Sequence, residues 1–550
     1  MDEEERRLYN YVKDYMITKW AFQRCLKKTS KKLQLDKKYI VRSLLEKVRN
    51  IVQYSIKKAK DHDMELKSYQ KLAVEYMAVN RGMIAAFDVG TGKTLTAVAI
   101  ANCVVELCEF FNRYVKIIVI TPTSLQKNFK KEMIAYGNNP DDKRYKFYTV
   151  TKFGIDYKAG LIDCSRTFFI VDEAHVFRKD YRNIFTRGPM RGKYIKDTRT
   201  EFALFCSTKA WKVLLLTATP MYNQYYDIVN LAAMIKGIYP PSDKSPLGEY
   251  SMDKKKFIDL YCDPILFQES DKQNYPSRIN ILIEIIMTDK YQRLYEILEN
   301  SVGKTNIYDP DKLKNAFYIE MRKASNKLVD CLKCESAMQI IRRKQKTIFY
   351  SCFLSHGVEI IIEKLNEENI KYYLIDGSVP MKVRNRIIDD YNKGDSGIDL
   401  LLITKAGGEG LDLKEVRNVI IFERGWNFAS EEQVIGRAIR YKSHVNLPEK
   451  ERVVKVYYLM VQKQSLWDIQ KYVQFKFPYL FKFVPTYSKI IYMNQKYMKE
   501  ENYGTTANKT KPSIDTAMFI NSLTKQSEIA EVTELLKQNQ ITKEKVDMQM

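Results

Sequence analysis

Between residues 63 and 240, short apolar runs alternate with stretches of helical periodicity. Ile117-Ile118-Val119-Ile120, Phe168-Phe169-Ile170-Val171 and Val213-Leu214-Leu215-Leu216 are continuous apolar runs that end in polar turns. A strand covered on both faces reads this way, because a parallel sheet between helix layers hides every side chain. The alternation predicts an α/β domain over 63–240 with a doubly wound parallel sheet. The pattern stops over 241–335, where charged, mostly helical periodicity predicts a helical linker. It returns over 336–480 with Thr347-Ile348-Phe349-Tyr350, Leu400-Leu401-Leu402-Ile403, Val419-Ile420-Ile421-Phe422 and Val454-Lys455-Val456-Tyr457-Tyr458, which predicts a second domain of the same architecture. Residues 1–62 predict a helical N-terminal extension, with Leu44, Leu45, Val48, Ile51, Val52 and Ile56 at helical spacing. Residues 481–550 predict a C-terminal extension and polar tail, with one amphipathic stretch near 529–536 suited to docking.

A chain of 550 residues is too long for one ordinary core, which agrees with this division. No run of eighteen apolar residues occurs, so no membrane span is expected. The acidic start Met1-Asp2-Glu3-Glu4-Glu5 argues against a secretory signal. The net charge of +24 fits a polyanionic partner such as nucleic acid, or a lysine-rich surface with no such role. Lys27, Lys28, Lys31, Lys32, Lys37 and Lys38 add a basic cluster near the N-terminus. Of the nine cysteines only Cys331 and Cys334 form a Cys-x-x-Cys pair, with no second pair or His pair nearby. Reduced thiols that bind no metal, in a cytosol-like compartment, are expected. Phe475–Tyr497 mixes lysine with aromatics; it reads as a helical edge packed on its domain, with nucleic-acid binding as the alternative.

Four tracts carry candidate chemistry. Asp88-Val89-Gly90-Thr91-Gly92-Lys93-Thr94 is a glycine-rich turn opening a helix. Such a turn aims several N–H groups and the helix dipole at one point, which suits a phosphate chain. Lys93 would reach the β/γ-phosphates and the Thr94 hydroxyl would ligate Mg²⁺. Phe87 stands where the full P-loop pattern has its first glycine. Val171-Asp172-Glu173-Ala174-His175 follows an apolar run; Asp172 would hold Mg²⁺ and Glu173 would polarise the attacking water. Thr217-Ala218-Thr219-Pro220 follows another run and could couple phosphate state to motion. In Gln433-Val434-Ile435-Gly436-Arg437-Ala438-Ile439-Arg440, the two arginines share one predicted helical face, suited to neutralise transition-state charge across a domain cleft or to lie solvated on a surface.

In this order and spacing the tracts resemble the motif series of superfamily 2 helicases, in the Swi2/Snf2-like branch, from Leu66 to about Leu459. The resemblance implies two tandem RecA-like domains, ATP and Mg²⁺. Leu66-Lys67-Ser68-Tyr69-Gln70 resembles the adenine-side motif, with Gln70 as its reader. Gly90, Thr91 and Gly92 would cradle phosphate, and Asp412 would add to the nucleotide site. Ile120-Thr121-Pro122-Thr123 and Val150-Thr151-Lys152-Phe153 resemble the motifs that meet the nucleic-acid backbone. Tracts at Ser351, at Gly377, at Thr404-Lys405 and at Trp426 resemble later members of the series. These similarities make Thr121, Pro122, Thr151, Ser351, Gly377, Thr404, Lys405 and Trp426 candidate nucleic-acid contacts, and Lys93, Asp172, Glu173, Gln433, Arg437 and Arg440 candidate catalytic groups.

A narrower resemblance lies in Glu409-Gly410-Leu411-Asp412-Leu413-Lys414 with Arg417, then Ser443-His444 and Leu447-Pro448. These look like the transcription ATPases of large cytoplasmic DNA viruses. The resemblance implies a DNA-dependent ATPase acting on double-stranded DNA during transcription, in a host cytoplasm or virion, with an RNA polymerase or transcription-factor subunit as a further partner. A strand-separating helicase and a promoter- or polymerase-binding factor with a timing ATPase remain open alternatives.

Overall fold

A computed structural model describes residues 45–59, 62, 65–88, 90–178, 182–184, 194–196, 198–221, 225–238, 264–269, 274–302, 310–404, 411–465, 468–499 and 511–549. They form two compact units: residues up to 271 with 529–550, and residues 272–528. The basic cluster at 27–38 lies outside the described residues.

The first unit is built on six strands: β1 (Gly82–Phe87), β2 (Lys116–Ile120), β3 (Tyr145–Tyr148), β4 (Thr167–Asp172), β7 (Lys212–Thr217) and β8 (Ile265–Gln268). A two-stranded antiparallel ribbon, β5 (Arg182–Ile184) with β6 (Tyr194–Lys196), stands apart. The main sheet runs β3-β2-β4-β7-β1-β8, and every pairing is parallel. β1, β4 and β7 are buried along their whole length. This is why the apolar runs show no alternation: both faces of the sheet are covered. The helix Lys93–Phe110 packs on one face together with the helix over 45–59, whose Val48, Val52 and Ile56 are buried as the periodicity predicts. Ser55 donates to Glu106 at 2.8 Å, pinning the two helices. Lys212 is buried at the foot of β7, where its ammonium donates to the carbonyls of Met77, Ala78 and Asn80. These carbonyls end the helix Ser68–Val79, where a cation is favoured. Burial pushes the Lys212 ammonium down to about 8.

The second unit holds β9 (Ser277–Ile286), β10 (Thr347–Ser351), β11 (Tyr373–Ile375), β12 (Leu400–Thr404), β13 (Asn418–Ile421), β14 (Val453–Gln462) and β15 (Lys489–Met493). Their order is β11-β12-β10-β13-β14-β9-β15, again parallel throughout. The RecA-like α/β architecture expected from the sequence is thus present twice.

Three expectations need correction. The stretch 241–335 is more than a helical connector: it supplies β8 to the first sheet and β9 to the second. β9 pairs with β14 along ten residues, Ser277 to Ile286. Its run Ile281-Leu282-Ile283-Glu284-Ile285-Ile286 is as apolar as the other strands except for Glu284. The C-terminal region holds a 25-residue helix, Ile514–Gln538, that begins in the second unit and ends in the first. Ile514, Met518, Phe519 and Leu523 are buried in the second unit, and Val532 and Leu536 in the first. The amphipathic stretch near 529–536 is the end of this helix. Beyond it, Gln540 and Ile541 bond to the backbone of β8, closing part of an edge that would otherwise be open. Finally, Cys164 and Cys206 form a disulfide, as do Cys331 and Cys334, with Cα atoms 5.2 and 5.3 Å apart. The first pair is 42 residues apart in sequence, so only packing of the helix Thr198–Lys209 beside the lead into β4 brings it together. The cysteines expected to be reduced are thus paired at these two places, while Cys103, Cys108 and Cys352 are free thiols.

Among the described residues, no helix is long and apolar enough to cross a membrane.

Candidate nucleotide-binding site

β1 ends at Phe87, and the chain turns through Gly90 and Gly92 into the helix that starts at Lys93. Both glycines have positive φ, 81° and 77°, a conformation that a side chain disfavours. Gly92 is the N-cap, so the turn delivers the first N–H groups of the helix to one spot. A Cβ on Gly92 would also stand 2.7 Å from the Gln70 amide. Gln70 is buried and its Nε2 donates to the Gly92 carbonyl at 3.3 Å, and the Tyr69 hydroxyl donates to the Thr91 carbonyl at 2.6 Å. The adenine-side tract and the phosphate turn are therefore physically joined. Phe87 is fully buried and meets the Tyr69 ring edge-on at 5.2 Å. This packing accounts for an aromatic where the full pattern has glycine: Phe87 holds the tyrosine that braces the turn.

The Lys93 ammonium donates to the Phe87 and Asp88 carbonyls at 2.9 and 3.1 Å, bent back over the loop. Asp172 sits at the end of β4, two strands from β1 with β7 between them. Burial beside the Glu173 carboxylate pushes the Asp172 carboxyl up to about 6, against the opposing pull of Lys93 and of its hydrogen bonds. Those bonds come from the Thr121 hydroxyl at 3.1 Å and the Glu173 N–H at 3.0 Å. Glu173 adopts φ 54°, so the chain reverses immediately after the carboxylate, and its side chain lies 3.2 Å from the His175 ring. Thr217, at the end of β7, is buried, and its hydroxyl accepts the N–H of Thr219 at 3.1 Å.

Thr121, expected from the sequence to meet a nucleic-acid backbone, is turned inward. It is fully buried and its hydroxyl donates to Asp172, so in this arrangement the hydroxyl supports the acidic site. Its neighbour Pro122 caps the helix Thr123–Ala135 and is half-buried, while Thr151 is exposed on the first turn of Val150–Lys158.

In the second unit, Gln433 and Arg437 lie half-buried on the helix Phe428–Ala438. The helix stops there: Ile439 is extended, with φ −102° and ψ 90°. Arg440 therefore does not share a helical face with Arg437. It reaches instead to Asp412, 3.3 Å from a carboxylate oxygen, so two separately expected residues meet. Arg424 and Glu431 form a fully buried pair at 2.8 Å, with the Arg424 guanidinium 4.3 Å from the Tyr458 ring centroid. Sequence reasoning did not find this pair, nor the buried Lys333–Asp515 pair at 2.8 Å that ties the start of the C-terminal helix to the helix Leu332–Ile341. A buried charge carries no mark in the sequence until its partner is known.

Ser351, another expected nucleic-acid contact, is likewise turned inward. It is fully buried and its hydroxyl bonds to the Glu423 carboxylate at 3.0 Å, turned into the unit. Thr404 is buried and Trp426 half-buried, its ring 5.4 Å from that of Tyr318. Gly377 is exposed in a turn where Asp376 accepts the Ser378 N–H at 2.8 Å. Lys405 lies outside the described residues.

Residues 329–442 match the helicase conserved C-terminal domain. A candidate ATP-dependent RNA helicase of Acanthamoeba polyphaga mimivirus is 32% identical over 71% of this chain and 88% of its own. A second such protein of the same virus is 24% identical over 71% of this chain and 81% of its own. Nucleoside triphosphatase I of Choristoneura biennis entomopoxvirus is 24% identical over 71% of this chain and 72% of its own. With two parallel α/β units, a glycine-rich turn and a buried aspartate, Asp172, followed by a half-buried glutamate, the chain belongs to the superfamily 2 ATP-dependent helicases, an ATP-hydrolysing family, and within it resembles the viral nucleoside triphosphatases.

Proposed function

We propose that this chain is a nucleic-acid-stimulated ATPase that moves along double-stranded DNA in support of viral-type transcription, within a host cytoplasm or virion. The observation that carries the ATPase assignment is the local build of the first unit. A turn with two left-handed glycines opens a long helix, and the carboxylate of Asp172 is held nearby by Thr121 and Glu173 N–H. Gly90, Thr91, Gly92 and Lys93 bind the phosphate chain, with Lys93 leaving its carbonyl partners for phosphate oxygens. Gln70, wedged against the turn, reads the base edge. Glu173 orients the attacking water and accepts its proton.

The donors fit Mg²⁺, which uses few protein ligands beside substrate phosphates. Thr94 and Asp172 are the residues that would hold it, and a carboxyl raised to about 6 is still largely ionised at neutral pH. Bound there, Mg²⁺ would neutralise charge on the phosphate oxygens. Arg437 and Arg440, with Gln433, are the candidates for stabilising transition-state charge, and the Asp412–Arg440 pair holds one of them in place.

Transcription on duplex DNA is supported by the likeness to the entomopoxvirus triphosphatase and by the excess of +24 charges, which favours salt-sensitive, sequence-independent grip on phosphates. The names of the two mimivirus relatives favour RNA as the second reading. The deciding experiment measures ATP turnover with duplex DNA, single-stranded DNA and RNA while strand separation is followed in parallel, with Glu173→Gln as the inactive control. Duplex stimulation without separation is expected. Stimulation by RNA alone, or separation coupled to turnover, would replace this reading.

A further inference from the structure

From Ile469 to Lys499 the chain carries six lysines and nine aromatic residues, and no aspartate or glutamate. Six of those aromatics fall into two sets of three. Phe477, Phe483 and Tyr487 pack against the core of the second unit, where Ile469, Val473 and Leu480 are buried. This set pins the helix Ile469–Lys476 and the turn Pro478–Phe483 in place. Phe475, Tyr479 and Phe481 face outward at 50%, 63% and 37% exposure. None of the three is a buried core residue, and three large exposed rings within seven residues mark a surface suited to binding. Cations accompany them. Lys471 and Lys482 are exposed, and the Lys476 ammonium lies 5.6 Å from the Phe475 ring centroid. The nearest acid in sequence, Asp468, stands 3.9 Å from Lys471 and caps the helix through the Lys471 N–H.

We propose that Phe475, Tyr479 and Phe481, with Lys471, Lys476 and Lys482, form a binding platform for single-stranded nucleic acid, separate from the helicase motif series. Outward rings on a pinned backbone offer flat faces for bases, and ammonium groups among them meet the phosphates between those bases. Duplex DNA does not suit the platform, because its bases are already stacked on each other and only phosphates remain to contact. The absence of acid over thirty-one residues gives charge complementarity to a polyanion. A protein partner with an apolar face would not need it. The platform does not depend on the ATP-driven function proposed above, since it needs neither nucleotide nor movement.

The test is fluorescence anisotropy with the full chain and no nucleotide, using labelled oligothymidylate, oligouridylate and a duplex. Phe475→Ala combined with Tyr479→Ala should raise the single-strand Kd roughly tenfold or more, and leave the duplex Kd unchanged. Tyr479→Phe, which keeps the ring, should bind as the parent does. Lys482→Gln should lower the slope of log affinity against log salt by about 0.7. Oligothymidylate against oligouridylate tells whether a DNA strand or a transcript is preferred. Basal ATP turnover serves as the check on folding and should not change. Unaltered single-strand affinity in a turnover-competent double variant would overturn the platform, as would an equal loss on duplex.

Discussion

Glu284 offers a quantitative test of the second unit. It lies in β9, its side chain fully buried, with one oxygen accepting the Ile469 N–H at 3.0 Å. Burial pushes its carboxyl from 4.5 up to about 8, with the Ile469 bond and the Gln462 side chain opposing the push and the Asp468 charge adding to it. At neutral pH the folded chain therefore keeps this proton, while an unfolded chain has released it. The raised folded value makes the contribution fully present below the unfolded value, and the contribution is lost as pH rises through about 8. At about 1.4 kcal/mol for each tenfold shift in proton affinity, the loss above that pH is roughly 4–5 kcal/mol. That is a large part of a typical domain stability of about 5–15 kcal/mol. Glu284→Gln keeps an acceptor for Ile469 and has nothing to ionise. In urea unfolding followed by hydrogen exchange at β9 and β14, variant and parent should nearly coincide near pH 5, and the variant should be more stable by several kcal/mol near pH 9. A difference that stays constant across that range would refute the reasoning, since it would mean that Glu284 does not carry the proton.

Three further outcomes are expected. Thr121→Val removes the hydroxyl that positions Asp172 and should slow ATP turnover roughly tenfold or more, the scale of a hydrogen bond to a charged group, with nucleic-acid Kd unchanged; normal turnover with weakened nucleic-acid binding would restore the backbone-contact role. Arg440→Ala should retain ATP binding and lose hydrolysis, measured by nucleotide binding and turnover side by side; loss of binding alone would remove its transition-state role. Asp515→Ala strands the buried Lys333 and should cost about 3–5 kcal/mol in unfolding experiments, with earlier proteolysis within the helix Ile514–Gln538; parent-like stability would show the pair to be incidental.

The phosphate turn was legible because its chemistry is local. Gly90, Gly92, Lys93 and Thr94 must be neighbours in the chain to be neighbours in space. Asp172-Glu173 was legible for the same reason, at the end of an apolar run. The hydroxyl partners of Thr121 and Ser351 were not legible, because a motif's position says which loop a residue belongs to, not which way its hydroxyl turns. Here both turn toward buried carboxylates, Asp172 and Glu423, where an unsatisfied charge would be costly. Arg440 was misplaced because helical spacing was extended two residues past the true end at Ala438.

By itself the sequence determined that there are two parallel α/β units, since a sheet buried on both faces writes continuous apolar runs, and that one of them opens on a phosphate-binding turn. Tertiary structure decided the rest. It placed β8 and β9 as strands out of a segment that reads as a connector, because edge and central positions in a sheet are set by partners far along the chain. It joined Cys164 to Cys206 and Lys333 to Asp515, and it sorted the aromatics after Ile469 into buried and outward sets. Each of these depends on which surfaces meet, and burial is a property of the packed chain that no local pattern contains.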